Sequence, residues 1–173
     1  QNVLILFDSG TTSKVIKETV FKNKSSVKVR GVNIDLKLVD KYDIWKNEVN
    51  SAKRNGYDII IVGLYHTIKN DDEQHVKAST VLDWTSQNAT VPPFAFWDFA
   101  VGENKTIGGY VLFGEAQGIA AGKIALKLMA KKDDGLILPK TAEMGRFLFS
   151  DTQLKKWNLN IEDKINLKIE YVK

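Results

Sequence analysis

The side chains able to do chemistry fall in four short stretches, each of which follows an apolar run. Asp8-Ser9-Gly10-Thr11-Thr12-Ser13 sets a carboxylate and several hydroxyls around a glycine. Small hydroxylated residues at the start of a helix offer N–H and O–H donors to an anion. Tyr65-His66-Thr67 adds a phenol and an imidazole, and Trp97-Asp98 an aromatic wall beside a charge anchor suited to an amine or hydroxyls. Glu115 stands between Gly114 and Gly118, where a long apolar helical pattern opens. The candidate ligand contacts are thus Ser9, Thr11, Thr12, Tyr65, His66, Trp97, Asp98 and Glu115.

Each catalytic version of these stretches lacks a part. The first loop has no terminal Gly-Lys-Ser/Thr, which a Walker loop needs to reach its phosphates and magnesium. A haloacid-dehalogenase nucleophile would need a second aspartate where Ser9 stands, and an actin-like Asp-Gly-Thr loop leads into a hairpin rather than a helix. No Gly-x-Ser-x-Gly elbow occurs, so a serine nucleophile has no strained turn to present it. The two histidines, His66 and His75, have no metal-ligand spacing, and with no cysteine there is neither a thiolate site nor a disulfide. The reading therefore assigns no catalytic residue, no metal and no cofactor. For the first loop the plainer expectation is that Thr11 or Thr12 caps a helix. The alternative is a flavodoxin-like flavin- or phosphate-binding domain with Ser9, Thr11, Thr12 and Ser13 as donors.

Positioning these loops requires alternating strands and helices. Val3 to Phe7 is continuously apolar, as a strand covered on both faces must be. Asn33 to Val39 alternates and reads as a half-covered edge strand; Tyr57 to Val62 belongs at the sheet centre; Phe94 to Trp97 and Thr106 to Phe113 supply further strands. Helices are expected after Ser13 with Val15, Ile16, Thr19 and Val20 inward, from Asp40 or Asp43 to Gly56, over Asp71–Ser86 with His75 solvated, and over Glu115–Lys132. Such alternation calls for right-handed βαβ units, hence an α/β, doubly wound, mostly parallel sheet with helices on both faces. Loops at the carboxyl ends of its strands then converge on one crevice. Beyond Asp133-Asp134-Gly135 the alternation falters, with a strand expected over Arg146–Phe149, a short helix capped by Ser150 or Asp151, and a last strand through Ile165, Leu167, Ile169 and Tyr171.

The chain has 173 residues, 43% hydrophobic and 27% charged, which is one domain's worth of core. Its +4 charge comes from basic residues mixed with acidic ones, and the lysine clusters at 22–24 and 131–132 are explained by helix ends; no nucleic-acid partner is expected. The longest apolar runs, Tyr57–Leu64 and Gly135–Pro139, fall far short of the roughly 20 residues that cross a bilayer. Gln1 leads straight into a strand pattern with no secretory leader, which reads as a mature or excised piece.

Three local motifs come in a suggestive order: Pro93-Phe94-Ala95-Phe96-Trp97-Asp98-Phe99, then Gly108-Gly109-Tyr110, then Gly114-Glu115-Ala116-Gln117-Gly118. Through them residues 1–160 resemble the C-terminal lobe of the tryptophan-type ABC-transporter substrate-binding family, including its sensor-domain versions. The resemblance implies a periplasmic-binding-protein type I lobe spanning 1–173, with 146–173 as a return segment toward a second lobe. It also implies a non-enzymatic, extracytoplasmic bacterial protein, periplasmic or membrane-anchored, that binds an amino acid or similar metabolite. Its partners would be a second lobe, a membrane permease or a sensor-kinase module.

Overall fold

A computed structural model describes residues 1–130, 145–161 and 168–173. Its middle strand is the uninterrupted apolar run. β1 (Asn2–Asp8) lies parallel to β3 (Val32–Val39) on one side and to β4 (Ile59–Val62) on the other. Because side chains alternate along a strand, Val3, Ile5 and Phe7 pack on one face with Leu36 and with Ile16 of α1 (Thr11–Thr19). Leu4 and Leu6 take the other face, against Trp45 and Val49 of α2 (Tyr42–Ser51) and Val81 and Leu82 of α3 (Ala78–Asn88). On that face the Trp45 indole N–H donates to Thr85 Oγ1 at 2.9 Å, so the largest fully buried side chain carries no orphaned donor.

With β5 (Pro93–Ala95) beside β4, and β2 (Ser26–Val29) outermost, the order is β2-β3-β1-β4-β5. A second sheet follows: β6 (Gly108–Val111) antiparallel to β7 (Arg146–Ser150), which is parallel to β8 (Ile169–Val172). Backbone bonds stitch the two together, Ile107 N–H to Pro93 O and Leu112 N–H to Phe96 O, each 2.8 Å. Among the described residues two further helices follow, α4 (Gly114–Met129) and α5 (Asp151–Lys156), the latter capped by Ser150 as expected. The mostly parallel sheet with helices on both faces is the expected fold class.

Five local expectations need correction. β3 is not an edge strand, because β2, with only Val27 and Val29 as apolar residues, pairs antiparallel along its outer side. α2 begins after Lys41 without a side-chain cap, and Asp43 instead lies in its first turn, where its charge complements the helix dipole. Residues 71–77 precede α3 rather than belong to it; Glu73 there has a left-handed φ of +60°, which no helix admits. In α1, Val15 and Val20 are exposed and the buried residue is Ser13. α4, expected as a helix with its apolar residues on one broad face, forms but buries no residue at all. The expectations for Ile165, Leu167 and residues 131–144 lie outside the described residues.

Gly108 marks where β6 crowds against β7. Its φ is +114°, and a Cβ there would drive into the Leu148 carbonyl oxygen. Gly108→Ala should cost about 2–4 kcal/mol in urea denaturation, combining backbone strain with overpacking. Gly118→Ala in α4, with nothing within 4 Å, should stabilise by up to ~1 kcal/mol.

Candidate functional site

β1 ends in Asp8, a carboxylate only 2% exposed. A charge that deep must be satisfied. Oδ1 accepts the Gly10 N–H at 3.1 Å and the Ser13 hydroxyl at 2.7 Å, while Oδ2 accepts the Thr67 N–H at 3.0 Å. Burial alone would push this carboxyl up; the Ser13 hydroxyl and the Thr67 and Gly10 amides outweigh it and hold the carboxyl below its ordinary range. Asp8 therefore ties the loop after β1 to the loop after β4. These two loops then part, one entering α1 on one face of the sheet and the other leading to α3 on the opposite face. A crevice opens at such a divergence.

Beside this tie, aromatic rings gather at the carboxyl ends of β4 and β5. Tyr65 is buried and stacks on His66, with centroids 4.7 Å apart. Phe99 meets both rings edge-on, at 6.3 Å from Tyr65 and 5.4 Å from His66, and lies nearly parallel to Trp97 at 6.0 Å. The chain makes this possible by bending: β5 stops at Ala95, and a single 3-10 turn, Asp98–Ala100, brings Trp97 and Phe99 ring to ring. His66 is exposed and Phe99 is 42% exposed, so the group has an open side. Burial pushes the Tyr65 phenol up to about 12, leaving it a neutral hydroxyl at physiological pH. The Trp97 indole Nε1 is buried without an acceptor among the described residues.

A second hollow, about 270 Å³, is lined by Ser9, Gly10, Asp40, Lys41, Thr67, Lys69, Glu73 and His75. Glu73 pairs with both lysines, at 3.1 Å to Lys69. No cluster of three or more histidine and acidic side chains among the described residues is placed to hold a metal.

Of the eight residues singled out in the sequence, the structure brings Tyr65, His66 and Trp97 together. Ser9 lines the neighbouring hollow. Thr11 and Thr12 are exposed on the first turn of α1, and neither caps it: Gly10 is the capping position, and Asp8 bonds the turn from two residues earlier. Asp98 is half-buried and its carboxylate accepts no hydrogen bond from Ser9, Thr11 or any other described residue; its N–H donates to Leu112 O and its carbonyl accepts the Val101 N–H, each at 3.1 Å. Glu115 is exposed at the start of α4, joined to the aromatic group by no ring contact or hydrogen bond among the described residues. Two participants escape sequence reading. Phe99 sits two residues beyond Trp97, but its role depends on the 3-10 turn. His75 was expected within a helix and instead borders the polar hollow.

The fold is shared with two solved structures. One is the ligand-free, open structure of a substrate binding protein with adhesive properties from Clostridium difficile, with a TM-score of 0.64 and 17% identity over all of this chain. The other is a conserved domain protein from Vibrio cholerae O1 biovar El Tor, with a TM-score of 0.59 and 12% identity over 99% of this chain. The chain spans 54% of the length of each. No family model matches the sequence, nor does any curated protein.

Asp8→Asn keeps the shape but turns an acceptor into an N–H₂ facing N–H and O–H donors. It should cost about 1.5–3 kcal/mol at neutral pH in urea denaturation. Because the folded carboxyl sits below 3.8, the wild-type contribution is complete above that pH and is lost as pH falls through the folded value. The variant should lack this acid-side loss.

Proposed function

We propose that this chain is a non-enzymatic lobe of a larger bacterial solute-binding or sensor protein, and that the rings of Tyr65, His66, Trp97 and Phe99 form the shelf on which a small metabolite rests. One observation carries the reading: a partly open aromatic group at the carboxyl ends of adjacent parallel strands, in a fold shared with a substrate binding protein. Ligands in open α/β sheets bind at that edge, and rings with a few polar handles suit a small organic molecule. One polar handle flanks the shelf: the half-buried Asp98 carboxylate, which accepts no hydrogen bond from another described residue and is available to a ligand. The ligand of this reading is an amino acid or similar amine-bearing metabolite. The protein works outside the cytoplasm, and a permease or a sensor kinase receives the signal of occupancy.

A flavodoxin-like flavin or phosphate site is the second reading, favoured by the exposed hydroxyls of Thr11 and Thr12 at the start of α1. In the loop after β1 that this reading would use, the Asp8 carboxylate is already engaged, both its oxygens accepting bonds. A flavin absorption band in the purified protein would establish this alternative.

Calorimetry and thermal shift against amino acids, purines and related metabolites test the main reading. The isolated chain should bind no tighter than about micromolar, since a one-sided shelf cannot enclose a ligand. In the larger protein Phe99→Ala should weaken binding about tenfold or more. Asp98→Ala should cost about 1.5–3 kcal/mol of affinity with little change in folding. Turnover of a bound compound would sink the non-enzymatic reading.

A further inference from the structure

We propose that Asn55-Gly56, in the turn that leaves α2, is a self-modifying site that forms a succinimide and opens to isoaspartate, and that the Ser51 hydroxyl sets its pace. The reaction needs no partner beyond water. The backbone nitrogen of Gly56 loses its proton and attacks Cγ of Asn55; the new C–N bond closes an imide ring as the side-chain nitrogen takes up a proton and leaves as ammonia. Water then opens the ring at either carbonyl, giving aspartate or isoaspartate. Attack is fastest where the following residue carries no side chain, and Asn55 is the one asparagine of the sequence that a glycine follows. Both residues are exposed, and a Cβ built on Gly56 would meet nothing within 4 Å, so the space the ring needs is open. Lys53 and Arg54 precede the pair, both exposed, and cations beside an amide favour its deprotonated form.

The turn explains both why glycine stands there and what restrains the reaction. Gly56 has a φ of +82°, and the bonds from Gly56 N–H to Lys53 O and from Tyr57 N–H to Ala52 O, each 3.1 Å, close the end of α2 around a left-handed glycine. The Asn55 carboxamide is turned back along the helix. Its Nδ2 donates to Ser51 Oγ at 3.1 Å, and that hydroxyl is itself fixed by donating to Asn47 O at 2.7 Å. Cγ must leave this clasp before the Gly56 nitrogen can reach it. Modification would be felt at one end of the molecule. Asn2 Nδ2 donates to Gly56 O at 2.9 Å and Asp58 accepts the Asn2 N–H at 2.7 Å, so the same turn anchors the start of β1 and leads into β4. Isoaspartate adds a carbon to the main chain inside the loop that the two closing bonds define, and hangs a carboxylate on the C-terminal end of α2, where the helix dipole disfavours it. The aromatic shelf lies at the opposite ends of these strands.

Ageing the folded 173-residue chain in mildly alkaline buffer, followed by digestion, mass spectrometry and enzymatic isoaspartate labelling, tests this. Isoaspartate should accumulate at position 55 before it does at any other asparagine, at a rate that climbs with pH, and the aged protein should unfold at lower urea than the fresh one. Ser51→Ala should speed the reaction about threefold or more, the worth of one lost hydrogen bond. Gly56→Ala, strained but free of clashes, should largely stop it, and Asn55→Gln, which leaves the backbone untouched, should abolish the urea shift on ageing. An unmodified position 55 after other asparagines have reacted would overturn the site. Unchanged kinetics in a Ser51→Ala variant that unfolds cooperatively in urea would overturn the role of Ser51.

Discussion

Three donors from two loops converge on one buried carboxylate, and the crevice edge of this molecule depends on that meeting. Without Asp8, the Gly10 and Thr67 amides and the Ser13 hydroxyl would face one another with no acceptor, and the loops after β1 and β4 would have no common anchor. Leu64 completes the tie by accepting the Asp8 N–H at 2.6 Å, immediately before Tyr65 enters the aromatic group. The segment that carries Tyr65 and His66 is thus held at both ends by hydrogen bonds to Asp8. A network of this kind fixes geometry because leaving any one donor unpaired in a dry site is costly.

The strands were the most legible part of the sequence, for a reason visible in their packing. β1 and β4 are covered on both faces, so burial leaves no polar residue in Val3–Phe7 or Ile59–Val62 and the pattern is unmistakable. β2 was invisible because Ser-Val-Lys-Val buries nothing; its place is fixed by backbone pairing with β3, which leaves little trace in composition. The start of α3 was misjudged because the residues before it are held by backbone bonds, Val76 N–H to Ile68 O at 2.8 Å among them, that helical periodicity does not encode.

The site was legible by region but not by partner. Strand ends were where candidate contacts were expected, and the rings of Tyr65, His66 and Trp97 gather there around Phe99. Thr11 and Thr12 looked like caps because hydroxyls beside a helix start usually are, yet the helix starts earlier, with Gly10 at the capping position and its N–H bonded to Asp8. Asp98 was expected as a charge anchor at the end of its strand; its backbone N–H bonds Leu112 O. Helical spacing put the apolar side chains of α4 on one broad face, and the helix forms, yet none of its residues is buried.

The outer hairpin has a consequence for life at high concentration. An open row of N–H and C=O groups along β3 would invite another chain to add a strand, and the apolar residues of β3 would make such a ribbon stick. β2 occupies that row first, with only four residues, and Lys28 and Arg30 stand exposed along it. A short, cationic last strand is a poor template. This end of the sheet is thereby guarded against fibrillar self-assembly by a segment that adds almost nothing to the core.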